Sequence, residues 1–322
     1  MCAVLKRLVV LFAALSLVTL PAIAQDAGKL EPRLKLPDLK SFQGTPNFGV
    51  ALPKLAFGNV TLQAELVDKG PAVTRGLVWR IFGPQAGTDG KLPLVASARG
   101  GTSVFQLEPG SYLVHASYGR AGATKRISVG KEPKKEVVVL DAGGLKLDAV
   151  FPSGGRIPPD KLRFSIYEAE PGADGERALI IPNVRPDVAV RLNAGTYHVV
   201  SKYGSVNAVI RSDIRVTAGK LTEATVEHRA AQLTMKLVRE HGGEAIADTS
   251  WSVLTDSGDV VRESVGAFAT MVLAEGDYTI VAKNRDHVYQ RELTVEAGHN
   301  EDVEVLTSDV AQQGVPIGDI SD

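Results

Sequence analysis

The stretch Leu107-Glu108-Pro109-Gly110-Ser111-Tyr112-Leu113-Val114-His115-Ala116 occurs three times in altered form. Its second copy is Leu192-Asn193-Ala194-Gly195-Thr196-Tyr197-His198-Val199-Val200-Ser201, and its third is Leu273-Ala274-Glu275-Gly276-Asp277-Tyr278-Thr279-Ile280-Val281-Ala282. The shared pattern is Leu-x-x-Gly-x-Tyr followed by alternating apolar residues, with separations of 85 and 81 residues. Two other landmarks keep nearly the same period. Trp79, Phe164 and Trp251 lie 85 and 87 apart, and the turn Gly87-Thr88-Asp89-Gly90 returns as Gly172-Ala173-Asp174-Gly175. Self-similarity at a fixed spacing is the signature of a repeat architecture.

Inside each copy the hydrophobic period is two. Tyr112, Val114, Ala116 and Tyr118 share one face, with Leu113, His115 and Ser117 on the other. Tyr197, Val199, Ser201 and Tyr203 follow suit, as do Tyr278, Ile280 and Ala282. Such alternation marks half-buried antiparallel strands. In the first copy seven runs fall near 59–67, 76–82, 93–98, 102–107, 111–118, 123–129 and 135–140, separated by Gly, Pro and Asp clusters. Short strands at this spacing predict a sandwich. The expected fold class is all-β, with three tandem β-sandwiches at 59–141, 142–229 and 230–307 and the three aromatic landmarks at their cores.

The ends read differently. Residues 1–24 have the form of a signal peptide: Lys6 and Arg7, the apolar run Leu8 to Leu20, Pro21, then Ala22-Ile23-Ala24 before Gln25. The alternative is an uncleaved anchor, for which the run falls short of the roughly 20 apolar residues that span a bilayer. No later stretch approaches that length. The one Cys, Cys2, lies within this segment, so the processed chain would have neither disulfide nor thiolate chemistry. Residues 25–58, with prolines at 32, 37, 46 and 53, read as an extended tether. An arm anchored by Phe42, Phe48 and Phe57 is the other reading. The polar stretch 308–322 reads as a disordered tail, or as a docking strand through Val315-Pro316-Ile317.

The period of about 80 residues, the Leu-x-x-Gly-x-Tyr-x-Val-x-Ala signature and the early aromatic resemble exported bacterial immunoglobulin-like and transthyretin-like (prealbumin-like) sandwich repeats. The nearest kinds are carboxypeptidase-regulatory-like and collagen-adhesin B-type domains. The resemblance covers roughly 59–307 and implies binding, spacing or adhesion rather than catalysis. Adhesin B-type repeats often carry a Lys–Asn or Lys–Asp isopeptide bond. Here Lys146 and Lys236 alternate outward from the apolar positions of their strands. The absence of a Cys-Trp-Cys framework excludes the antibody-type subfamily.

Little in the chain suggests chemistry. The six histidines (115, 198, 228, 241, 287 and 299) include no pair at metal-ligand spacing. Asp89-Gly90 and Asp174-Gly175 read as hairpin turns rather than calcium loops, with Asp256-Ser257-Gly258-Asp259 the outside candidate. Glu168 and Glu170 read as a solvated face of one strand, the other reading being a glycosidase-like carboxylate pair. Tyr118 and Tyr203, each beside a basic residue or glycine at a strand end, read as core-closing residues or as a stacking platform for a ligand. Nucleophile-elbow and phosphate-loop motifs are missing. A net charge of −1 without a basic block argues against nucleic acid. The expectation is a non-enzymatic binding or scaffold protein, periplasmic or secreted, with no catalytic, metal or cofactor residues. Its expected partner is another envelope or surface protein, the alternative being a polysaccharide. No membrane span is expected after leader cleavage.

Overall fold

The computed structural model describes residues 57–309; the expected leader, nearly all of the tether and the tail beyond 309 lie outside the described residues. The described residues form strands and turns without a helix. The first repeat holds β1 (Gly58–Glu65), β2 (Leu77–Phe82), β3 (Leu94–Gly100), β4 (Ser103–Leu107), β5 (Gly110–Tyr118), β6 (Ala121–Val129) and β7 (Lys134–Val139). The second holds β8 (Ala142–Val150), β9 (Leu162–Glu168), β10 (Leu179–Val184), β11 (Val190–Asn193), β12 (Gly195–Tyr203), β13 (Val209–Val216) and β14 (Leu221–Glu227). The third holds β15 (Ala230–Val238), β16 (Thr249–Thr255), β17 (Val260–Val265), β18 (Phe268–Ala274), β19 (Gly276–Asn284), β20 (His287–Val295) and β21 (Glu301–Leu306).

Each repeat pairs a three-stranded with a four-stranded sheet in one topology. The first has orders β4-β1-β7 and β3-β2-β5-β6, the second β11-β8-β14 and β10-β9-β12-β13, the third β18-β15-β21 and β17-β16-β19-β20. The first and last strands of every repeat run parallel, six residues in register in the first and third and seven in the second. All other pairings are antiparallel. The expected strand runs agree with these spans to within a few residues, and β1 opens at Gly58, the last residue assigned to the tether.

Three cores result. Trp79, Phe164 and Trp251 are fully buried at equivalent places on the second strand of each repeat. The indole N–H groups are satisfied: Trp79 Nε1 donates to Gly101 O at 2.8 Å and Trp251 Nε1 to Gly266 O at 2.9 Å. The Leu-x-x-Gly-x-Tyr signature acquires a physical reason. Its leucines (Leu107, Leu192, Leu273) are buried. Its tyrosine hydroxyls reach back four residues, Tyr112 to Glu108 O at 2.9 Å, Tyr197 to Asn193 O at 2.9 Å and Tyr278 to Ala274 O at 3.0 Å. This is the tyrosine corner of Greek-key sandwiches, which pins the chain where it crosses from one sheet to the other. Tyr197→Phe, which removes only the hydroxyl, is expected to cost about 1 kcal/mol in urea unfolding; no loss would mean the corner contributes shape alone.

Candidate interaction surfaces and the joints between repeats

Strand alternation decides what each sandwich presents to solvent. On the second strand the inward positions are Trp79 and Ile81, Phe164 and Ile166, Trp251 and Val253, all buried. Phe82, Tyr167 and Leu254 therefore point outward. Register extends each into a row across the outer face. Phe82 pairs with Leu94 and Leu113, and Leu113 with Arg126. Tyr167 pairs with Leu179 and His198, and His198 with Asp213. Leu254 pairs with Val260 and Thr279, and Thr279 with Glu292. Each row runs from an exposed aliphatic on an edge strand, through a half-buried apolar residue, to a charge on the far strand. Leu94, Leu179 and Val260 are 55%, 51% and 59% exposed.

The edges themselves are unequal. β10 is interrupted by Pro182, by Asn183 in the left-handed region and by irregular register. These are the usual guards of a free edge. β3 has no proline and no acidic residue and β17 has no proline, and each shows a single register shift against the two of β10. Further exposed apolar side chains, Val104, Val188, Val265 and Phe268, lie on the third or fourth strands or in the loop joining them. Apart from Phe57 and Leu221, the exposed large apolar side chains of the described residues therefore lie on one flank of each sandwich.

The joints are two residues long, Leu140-Asp141 and His228-Arg229, and the neighbouring repeats are locked across them. At the first joint the Asn193 side chain exchanges two 3.2 Å hydrogen bonds with the Gly122 backbone and donates to Leu140 O at 2.7 Å. The Arg191 guanidinium covers the Tyr118 ring at 4.3 Å. At the second joint the asparagine stands on the opposite side of the same contact. Asn207, equivalent to Gly122, accepts from Ala274 N at 2.9 Å and donates to the Tyr278 hydroxyl at 2.8 Å. Lys161 bonds Gln232, and Arg229 pairs with Glu275. Ala142 completes the core of the first repeat, and Ala230 and Val272 that of the second.

Glycine permits this approach. Gly119 and Gly204 sit at φ +68° and +73° in equivalent turns, where a Cβ would stand 2.9 Å from Arg191 Cβ and 2.7 Å from Val272 Cβ. The third repeat has Arg285 at φ +53° in that place, exposed.

The residues singled out for chemistry are scattered. His115 Nδ1 meets Thr124 Oγ1 at 2.9 Å, and burial, helped by Arg80, lowers its pKa. His198 Nδ1 lies 2.7 Å from Asp213 Oδ1. Asp89 and Asp174 accept from the backbone N–H two residues on, at 3.0 Å each, as turn-forming residues do. Asp259 accepts from Ser257 Oγ within its own hairpin loop. Glu168 ends β9 and Glu170 lies in the following bend, so the two do not share a strand face as expected. Among the described residues no three His, Cys, Asp or Glu side chains converge as a metal site. Lys146 pairs with Glu223 at 2.6 Å and Lys236 with Glu304 at 3.0 Å, on outer faces. Glu304 also accepts from His241 Nδ1 and Gly242 N, and these donors hold its carboxyl down at about 2.

Tyr203 is fully buried as a core-closing residue, whereas Tyr118 is only half-buried, roofed by Arg191 of the next repeat. One contact the sequence reading did not single out is a buried pair, Ser201 Oγ to His228 Nε2 at 2.8 Å. It has the reach of a nucleophile and base, but both side chains are sealed from solvent, 0% and 1% exposed, so no substrate reaches the hydroxyl.

Comparison with known proteins adds the following. Residues 232–307 match the Rhizobiales growth-associated tandem repeat domain. No curated protein matches. Among solved structures, the Bacillus anthracis TIE protein aligns at 14% identity and TM-score 0.24, over 78% of this chain and 51% of its own, so the chain spans about half its length. A streptococcal ancillary pilin aligns at 13% identity and TM-score 0.29, over 78% of this chain and 98% of its own. GBS52, the minor pilin of Streptococcus agalactiae, aligns at 14% identity and TM-score 0.29, over 53% and 95%.

Proposed function

We propose that this chain is a non-enzymatic, exported scaffold whose three sandwiches present equivalent outer-face rows to another envelope or surface protein. The observation carrying this reading is the recurrence of those rows. An exposed aliphatic on the edge strand and an apolar residue beside it return in register in all three repeats. Folding alone gives no reason to keep them, since water-facing sheet positions are satisfied by polar residues. Edge strands β3 and β17 offer unpaired backbone groups beside the rows, the arrangement used in strand addition. In this reading 1–24 is a leader removed on export, 25–58 a tether, and 59–141, 142–229 and 230–307 the binding units, in the periplasm or outside the cell. The match of 232–307 to a tandem repeat family supports the repeat reading. A polysaccharide ligand is less well served: every described Tyr and Trp is buried or half-buried, and the exposed Phe57 and Phe268 belong to different repeats and so form no aromatic row.

The test is affinity capture from the native envelope by the wild-type chain and by the triple variant Leu94→Lys, Leu179→Lys, Val260→Lys. Exposed substitutions of this kind change stability by about 0.5 kcal/mol or less each, so both proteins should melt alike. The expected result is a protein retained by wild type and reduced at least tenfold with the variant. Equal retention, or recovery of glycan alone, overturns the reading.

A further inference from the structure

The two joints provide an internal comparison. Leu140 and His228 occupy one position: each is the first residue after its repeat's last strand, and each donates its N–H to the end of that repeat's first strand, to Glu65 O at 2.8 Å and Val150 O at 2.9 Å. Ala116 and Ser201 occupy another, at the 85-residue offset on the fifth strand. Leu140 and Ala116 are both buried in the first core, so the first joint closes on an apolar pair. The second closes on His228 and Ser201, equally buried, with a 2.8 Å hydrogen bond in place of hydrocarbon contact. In the third repeat the same positions carry Thr307 and Ala282. An imidazole is thus found only at the joint between the second and third repeats, where packing alone would accept leucine.

The surroundings of the ring are apolar and aromatic. Tyr203 meets His228 edge-on with centroids 6.1 Å apart, and Phe151 meets Tyr203 at 5.7 Å. The buried Tyr203 hydroxyl has no hydrogen-bond partner among the described residues, and burial together with Asp160 raises its pKa. Beside His228 in the chain, Glu227 and Arg229 are exposed, Arg229 pairing with Glu275 of the third repeat. Burial alone lowers the imidazole from 6.5 to about 4, with no carboxylate contributing. A proton on this ring would have to be accommodated without a counter-ion.

We infer that the joint between the second and third sandwiches is an acid-released latch, with His228 and Ser201 holding it closed while the imidazole is neutral and letting it open when the imidazole takes a proton. Opening would free His228 to water and break the contacts that lie across the joint: Ala274 N to Asn207 Oδ1, Asn207 Nδ2 to the Tyr278 hydroxyl, and Lys161 to Gln232. The closed form binds the proton more weakly than the open form, so acid favours opening. The latch is fully held above about pH 6.5 and weakens as pH falls toward about 4, below which both forms are protonated. At pH 5 the open fraction is expected to be about 30-fold higher than at pH 8.

Hydrogen exchange on the full chain tests this, with protection factors corrected for the pH dependence of intrinsic exchange. The first joint, through Arg120 N and Gly122 N, which donate to Arg191 O and Asn193 Oδ1 of the next repeat, serves as the internal reference. Wild type is expected to lose protection at Ala274, whose N–H is bonded across the joint to Asn207, by about 30-fold relative to the first joint on going from pH 8 to pH 5. The double variant His228→Leu, Ser201→Ala, which gives the second joint the composition of the first, should lose none. Equal behaviour of the two joints in wild type, or undiminished acid sensitivity in the variant, overturns the inference. Should the variant not fold, small-angle scattering of the wild type decides: a larger radius of gyration at pH 5 than at pH 8 upholds the latch, and equal dimensions overturn it.

Discussion

Truncating Trp251 to alanine is expected to destabilise the third repeat by about 3–5 kcal/mol, the range for removing a large aromatic from a packed core. Its side chain is fully buried at the centre of that core, and its Nε1–H satisfies Gly266 O, which the truncation leaves unpaired. The chain supplies its own reporter. It has two tryptophans, Trp79 in the first repeat and Trp251 in the third. In Trp251→Ala, fluorescence follows the first repeat alone while far-UV circular dichroism follows all three. Three repeats need not unfold in one step. The expected result is a fraction of the dichroism lost at lower urea, with the Trp79 transition little moved. A shift below about 1 kcal/mol in the third repeat would remove Trp251 from its central role.

Gly204→Arg is expected to separate the second repeat from the third. The substitution places a side chain at φ +73°, where a non-glycine residue costs about 1–2 kcal/mol, and drives its Cβ to 2.7 Å from Val272 Cβ. Overpacking of a fitted contact adds about 1–3 kcal/mol. The joint can escape this cost by opening, so the loss should fall on the contacts between repeats and leave each sandwich folded. Small-angle scattering should show a larger radius of gyration, and exchange at Ala274 N should quicken. The equivalent Arg285 already carries this side chain at φ +53° and is exposed. If the variant keeps the wild-type dimensions and the Ala274 protection, the glycine does not hold the joint.

Much of the architecture could be read before any coordinates. The Leu-x-x-Gly-x-Tyr copies, the period of two and the spacing of Trp79, Phe164 and Trp251 all report on local strand geometry and on burial within one repeat. Those properties depend on residues close in sequence or at a constant offset. The joints were beyond such reading. Asn193 faces Gly122, and Asn207 faces Ala274, only because each downstream repeat docks at a particular angle. One contact uses asparagine from the downstream side and the other from the upstream side, so no motif recurs. The half-exposed Tyr118 has the same origin: strand alternation turns it inward against its own core, and Arg191 of the next repeat covers the part of the ring the core leaves open. The burial of His228 leaves no trace in the sequence because it depends on the second repeat closing around a linker. The sequence places Glu168 and Glu170 on one strand face because the end of β9 at Glu168 leaves no mark in the charge pattern.

The parallel pairing of first and last strands has a mechanical consequence. Chain enters a repeat along β1, β8 or β15 and leaves along β7, β14 or β21, each exit strand hydrogen-bonded alongside its entry strand and pointing the same way. Pulling the two termini of a repeat apart therefore loads that ladder in shear, and its bonds must yield together rather than unzip singly. An array strung on such clamps would carry tension while its sandwiches stay folded.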